Sequence, residues 1–212
     1  MKKIDGVIFD VDGTIWDTTE VVAQAWNDAI DATFFSKTSH VTGTELKKQF
    51  GKTMDVIAQN LFPDLSKEER KILMKKCCEE EQKHLGKTSE NLTYNGIVEA
   101  IQQLSKKYPI FIVSNCQAGY IPVVLEKNKL AEYITDTECF GSTGLEKDEN
   151  IKLLAQRNNL QNPVYVGDTQ GDLLACKKAG VLFVWAKYGF GHVKEEDCYA
   201  TINSPLDLLE IL

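Results

Sequence analysis

The sequence predicts an α/β protein, a doubly wound parallel sheet interrupted after its first strand by a helical insert. Three observations predict it. Short, continuous apolar runs recur along the chain, and most end at a polar residue or a glycine. Helix-period segments separate the later runs. Between Asp17 and Asn91 the pattern is helical only, with no strand-like run. Continuous rather than alternating apolar character marks strands buried on both faces. Strand followed by helix, repeated, supplies the crossovers that parallel strands require.

The elements follow in order. Val7-Ile8-Phe9, ending at Asp10, reads as the first strand. Helical patterns then cover Thr19–Thr33, 44–50, Met54–Leu61 and 67–84. Ser66 precedes the last of these, with Glu69 three residues on, which is the capping-box pattern. Trp26 and Phe34-Phe35 read as the core of this insert, and Cys77-Cys78 with Glu79-Glu80-Glu81 as a helix with one solvated face. A helix at 96–107 leads to the strand 110–113, which ends at Ser114. Next come a helix at 120–128, a weaker strand within 133–139 and a helix at 149–158. The strand 164–166 ends at Gly167-Asp168, a helix covers 172–179, and the strand 181–185 ends at Ala186. Gly189-Phe190-Gly191 reads as loop, because no convincing helix follows it. Residues 1–17 and 89–212 are therefore expected to form the core domain and 18–88 a helical cap, with hinges near 17–19 and 85–91.

Composition narrows the function. A chain of 212 residues with 43% hydrophobic and 26% charged content is ordinary for a globular protein. No apolar run approaches a membrane span, and the first residues carry no leader pattern, so a cytoplasmic protein is expected. The six cysteines are scattered without a C-x-x-C pair, which fits reduced thiols better than zinc or a disulfide framework. A net charge of −7 argues against a nucleic-acid partner, whose phosphates need a basic face. From Thr19 to Lys87, eleven Lys and Arg balance eleven Asp and Glu, so the core carries the whole negative charge. An anionic substrate would be repelled by that field unless a local cation reversed it.

In an open α/β sheet, ligands bind beyond the carboxyl ends of the strands. The predicted strands deliver Asp10 and Asp12, then Ser114, then Asp168 and Asp172 to that edge. Lys147, on the loop before a helix, could reach it too. Four carboxylates in one crevice call for a hard cation, and Mg²⁺ suits an oxygen-rich site. The three histidines, His40, His84 and His192, end no predicted strand, where a Ser–His–Asp hydrolase would need one along with a nucleophile elbow. Neither G-x-x-x-x-G-K-[ST] nor G-x-G-x-x-G after a strand occurs, which leaves glycine-loop cradling of a nucleotide unsupported.

Phe9-Asp10-Val11-Asp12-Gly13-Thr14-Ile15 resembles the first motif of the haloacid dehalogenase (HAD) superfamily, D-x-D-G-T. Ser114-Asn115 resembles its second motif, Lys147 its third, and Gly167-Asp168-Thr169-Gln170-Gly171-Asp172 its fourth, in the expected order. Asp148 stands where the family commonly has a proline. The helical insert resembles the cap of the phosphoglycolate-phosphatase-like and β-phosphoglucomutase-like branch. The resemblance implies a Rossmann-like HAD core with a cap that closes to exclude bulk water. It implies a Mg²⁺-dependent phosphatase of a small phosphate monoester, working through an aspartyl phosphate. Asp10 would be the nucleophile, and Asp12 the acid for the leaving alcohol and then the base for water. Mg²⁺ would lie on the Asp10 carboxylate, the Asp12 carbonyl and the Asp168 carboxylate, supported by Asp172. Ser114, Asn115 and Lys147 would hold the phosphoryl group, and Lys52, in a cap loop, would read the substrate. Asp12 argues against the dehalogenase and phosphonatase branches, which lack it. A phosphomutase uses the same residues but must bind a second phosphate, which a neutral cap with one arginine, Arg70, does not favour. A catalytically idle binding protein of the same fold is the remaining alternative. Trp16 reads as packing and Cys116 as inert.

Overall fold

The computed structural model describes residues 3–34 and 37–212. Met1, Lys2, Phe35 and Ser36 lie outside the described residues, so the reading of Phe35 as insert core has no structural counterpart here. The chain divides into two compact units, Met1–Asp17 with Thr93–Leu212, and Thr18–Leu92.

The first unit is built on a parallel sheet. Its strands are β1 (Val7–Phe9), β2 (Ile110–Ser114), β3 (Asp136–Cys139), β4 (Val164–Gly167), β5 (Leu182–Ala186) and β6 (Ala200–Ile202). Their order across the sheet is β3-β2-β1-β4-β5-β6. β1 pairs in parallel with β2 on one side and β4 on the other, through Phe9↔Ile112 and Phe9↔Val166. The chain thus builds outward from β1 in one direction, then returns to β4 and builds in the other. The reversal lies between β1 and β4, which is where an open α/β sheet forms its ligand crevice.

Both faces of the sheet are covered, as the continuous apolar runs predict. Ile8, Phe111, Val113, Tyr165, Phe183 and Trp185 pack with Ile151, Leu154 and Leu173 of the flanking helices. Val7, Phe9, Ile112, Val166 and Val184, which point the other way by strand alternation, are also fully buried.

The second unit contains α1 (Thr19–Thr33), α2 (Gly43–Lys47), α3 (Met54–Leu61) and α4 (Lys67–Lys87). Its core gathers Val22, Trp26, Ala29, Ile30, Leu46, Leu73 and Cys77, with Phe34 packed against it. The Ser66 capping box forms as expected: the Glu69 amide donates to Ser66 Oγ at 3.2 Å, and the Ser66 amide to Glu69 Oε2 at 2.9 Å. The acidic run on α4 departs from a single solvated face. Glu81 turns inward, is 4% exposed, and accepts a 2.9 Å hydrogen bond from Trp26 Nε1.

The remaining helices belong to the first unit: α5 (Ile97–Leu104), α6 (Tyr120–Lys127), α7 (Phe140–Thr143), α8 (Lys147–Arg157), α9 (Gln170–Ala179) and α10 (Leu208–Ile211). α8 begins two residues before the expected 149–158. Glu146 and Glu149 form a reciprocal cap there, which makes Lys147 the first helical residue rather than a loop residue. Residues 189–191 are irregular, as read from the sequence.

Candidate active site

β1 and β4 end side by side, and so do their aspartates. The Asp10 amide donates to Val166 O at 2.9 Å, which draws the residue after β1 against the end of β4. Asp10, Asp168 and Asp172 each offer a carboxylate oxygen within 4.8 Å of the other two, and all three are buried. Lys147, from the first turn of α8, reaches into the same cluster. Its Nζ donates to Asp10 Oδ1 at 3.0 Å and to Asp172 Oδ1 at 2.6 Å.

The carboxylates are held from several directions. Thr169 caps α9 and donates to Asp172 Oδ2 through its amide (2.9 Å) and its hydroxyl (2.7 Å). Asp168 Oδ2 accepts from the amides of Phe190 and Gly191 at 2.7 and 3.3 Å, so the glycine-containing loop after β5 acts as a cradle. Trp185 Nε1 donates to Asp168 O at 3.1 Å. Gly13 closes the other side with φ +82°, and a Cβ there would stand 2.3 Å from Asp168 Oδ2. Both its left-handed backbone and its missing side chain are therefore used.

Two buried oxygens in this cluster, Asp10 Oδ2 and Asp168 Oδ1, have no hydrogen-bond partner. A buried carboxylate oxygen left bare costs free energy, and a divalent cation is the partner that three converging carboxylates suit. The electrostatics agree. Burial raises Asp10 to about 6 against the pull of Lys147, with Asp172 adding to the rise. Burial likewise lifts Asp168 well above the ordinary range, helped by the charges of Asp172 and Asp10. For Asp172, burial is outweighed by Lys147 and Thr169, which hold its carboxyl low. Burial would lower Lys147, but Asp10 and Asp172 raise it instead, so it stays an ammonium. One cation for three carboxylates leaves the cluster short of positive charge. The residues fit a bound divalent cation.

The other expected residues fall as follows. Ser114 ends β2 and is buried, its Oγ accepting from the Cys116 amide at 3.3 Å. Asn115 follows it, half-buried. Asp12 stands two residues beyond Asp10, in the turn whose Thr14, Ile15 and Trp16 amides converge on Val11 O. Lys52 lies in the second unit, exposed, with Nζ donating to Lys48 O and Gln49 Oε1 at 3.1 and 3.0 Å. Arg70 is spent within that unit, where its Nη1 donates to Leu65 O at 2.5 Å and lies near the carbonyls of Phe62 and Pro63.

Three residues at or below the site escaped the sequence reading. Tyr165 lies beneath Lys147, its hydroxyl donating to Val113 O at 2.8 Å. Trp16 and Tyr120 both donate to Asp12 Oδ1. Trp16 carried a weak signal, four residues past Asp12 in a glycine turn, whereas Tyr120 carried none. Cys116 proves to have a neighbour: its hydrogen bond to Cys139, with burial, pushes its thiol well up, while the same bond and Ser142 bring Cys139 down to about 6.

The model of the haloacid dehalogenase-like hydrolase family matches residues 7–186. The phosphoglycolate phosphatase of Vibrio vulnificus is 26% identical over 204 residues, covering 90% of this chain and 87% of the relative. That of Escherichia coli K12 is 23% identical, covering 98% and 93%. Among solved structures, a predicted phosphoglycolate phosphatase from Haemophilus somnus superposes with a TM-score of 0.85 at 19% identity, covering 100% of this chain and 99% of that one. A haloacid dehalogenase-like family protein from Streptococcus pneumoniae gives 0.83 at 17% identity, with the same coverage. These likenesses bear on the α/β fold. No described helix is long and apolar enough to cross a membrane.

Proposed function

The chain belongs to the haloacid dehalogenase-like hydrolases, and from that premise we propose that it is a Mg²⁺-dependent phosphatase of a small phosphate monoester, acting through an aspartyl phosphate on Asp10. The observation that carries this reading is the buried cluster of Asp10, Asp168 and Asp172 around Lys147, with two carboxylate oxygens bare. The names of the curated relatives support phosphate-ester hydrolysis and make 2-phosphoglycolate the first metabolite to test.

In this reading the cation is held by the carboxylates of Asp10 and Asp168 and the main-chain carbonyl of Asp12, with Asp172 in support. When bound, it supplies the positive charge that lets a phosphate dianion enter a negatively charged core. Asp10 attacks phosphorus as a carboxylate, and Lys147 keeps it deprotonated against the effect of burial. Asp12 gives a proton to the departing alcohol and later takes one from the hydrolytic water. Lys147, Ser114 and Asn115 hold the phosphoryl oxygens, where charge grows as the ester bond breaks. The second unit is proposed to act as a cap that reads the substrate through Lys52, in which case Lys52→Ala raises KM and leaves kcat nearly unchanged. The six free thiols support a reducing, cytoplasmic setting.

The test is phosphate release from 4-nitrophenyl phosphate and from 2-phosphoglycolate, with Mg²⁺ and with EDTA, by wild type and Asp10→Asn. Turnover that needs Mg²⁺ and vanishes in Asp10→Asn is expected. Activity surviving in that variant would remove the aspartyl phosphate from the mechanism.

A further inference from the structure

We propose that Trp16 and Tyr120 are positioning residues for Asp12, holding its Oδ1 so that Oδ2 is the oxygen that exchanges the proton with the ester. The inference rests on the phosphatase reading above and deepens it. Trp16 Nε1 donates to Asp12 Oδ1 at 3.2 Å, and the Tyr120 hydroxyl donates to the same oxygen at 2.7 Å. The two rings meet edge-on, with centroids 5.7 Å apart and planes at 63°. Trp16 is 0% and Tyr120 3% exposed, so neither donor exchanges freely with water.

The chemistry follows from the donor types. An indole N–H can only donate, and a hydroxyl that donates to Oδ1 leaves that oxygen accepting twice. An oxygen in that position is the carbonyl-type oxygen of the acid form, and the transferable hydrogen belongs to Oδ2. The backbone fixes one donor: the Gly13 amide donates to Trp16 O at 2.9 Å, and the Trp16 amide to Val11 O at 3.3 Å. The turn that displays Asp12 therefore also places Trp16. The other donor arrives from a different strand end, as the first residue of α6, after Gly119 in the left-handed region at φ +88°.

In the first half-reaction the hydrogen on Oδ2 passes to the ester oxygen. The ester P–O bond breaks as the bond from Asp10 to phosphorus forms, leaving Asp12 a carboxylate. In the second, Oδ2 takes a proton from the attacking water, the Asp10–phosphorus bond breaks, and inorganic phosphate leaves. A carboxyl group free to rotate would present the wrong oxygen part of the time, and that loss is felt only where proton transfer limits bond breaking. Acid assistance matters greatly for a poor leaving group such as phenoxide and little for 4-nitrophenoxide.

The experiment compares kcat/KM for phenyl phosphate and 4-nitrophenyl phosphate in wild type, Tyr120→Phe, Trp16→Phe and the double variant. This ratio reports the steps up to formation of the aspartyl phosphate, where only the acid role of Asp12 enters. Tyr120→Phe is expected to lose about tenfold on phenyl phosphate and less than about twofold on 4-nitrophenyl phosphate, a part of the roughly 10²–10⁴-fold that general acid catalysis contributes. Trp16→Phe is expected to follow in the same direction, and the double variant to lose more than either. Equal losses on the two esters, as a distorted site would give, overturn the proposal, and so does no loss on either. Should Tyr120→Phe fail to fold, the same comparison in Trp16→Phe decides it. Wild type inactive on both esters and on 2-phosphoglycolate is a separate result: it removes the phosphatase reading, and this inference with it.

Discussion

The Lys147 ammonium lies 3.0 Å from Asp10 and 2.6 Å from Asp172, with all three side chains at most 5% exposed. Removing it leaves two carboxylates facing each other in a medium of low dielectric. Lys147→Met is therefore expected to destabilise the metal-free protein by about 3–5 kcal/mol, read from urea unfolding. A loss below about 1 kcal/mol would mean the pair is solvated in solution and the buried charge balance is wrong. Gly13→Ala tests the opposite side of the cluster, since the added methyl meets Asp168 Oδ2 and the backbone is left-handed. It is expected to cost about 1–3 kcal/mol of stability and most of the activity. At this scale the sequence was informative where a residue's type was unusual for its place. Aspartates closing apolar runs, Asp10 and Asp168, stand out. Trp16 and Tyr120 do not, because an aromatic near a strand end reads as core whether or not its polar atom serves a carboxylate.

Local signals placed whole elements well where the pattern was long or capped. Met54–Leu61 and Thr19–Thr33 have the bounds read from their periodicity. Where a cap decides the boundary, the reading slipped: α8 starts at Lys147 because Glu146 and Glu149 cap it. β5 runs Leu182–Ala186 instead of 181–185, because the Val181 amide is taken by Cys176 O in the turn that ends α9 at Gly180. β6 was not anticipated. Ala200-Thr201-Ile202 is short and partly exposed at the sheet edge, and it is a strand only because β5 lies beside it. The Ser66 cap offers a direct check on an element. Ser66→Ala is expected to cost about 1 kcal/mol and Ser66→Asp close to nothing, measured by thermal unfolding. No difference between them would mean the cap does not stabilise α4.

At the scale of the molecule, the carboxylate cluster links stability to pH and metal. Asp10 is raised from an ordinary 3.8 to about 6, and Asp168 is raised as well. The folded metal-free protein therefore binds more protons than the unfolded chain, and its stability falls as pH rises through about 6. Asp172, held low, acts in the opposite sense and only below the ordinary carboxylate range. A cation takes up the charged forms, so Mg²⁺ is expected to raise Tm more at about pH 8 than at about pH 5. An equal rise at both would place the ion somewhere other than these carboxylates.

The sequence by itself determined the α/β class, the helical insert after the first strand and the aspartates that terminate β1 and β4. Those features are written locally, as apolar runs, periodicity and polar residues at run ends. Only the tertiary structure decided which residues meet. The reversal between β1 and β4 brings Asp10 to Asp168, the first turn of α8 carries Lys147 between Asp10 and Asp172, and α6 delivers Tyr120 to Asp12. Such pairings join residues far apart in the chain, whose approach depends on the order of strands and the packing of helices on the sheet rather than on any short stretch of sequence.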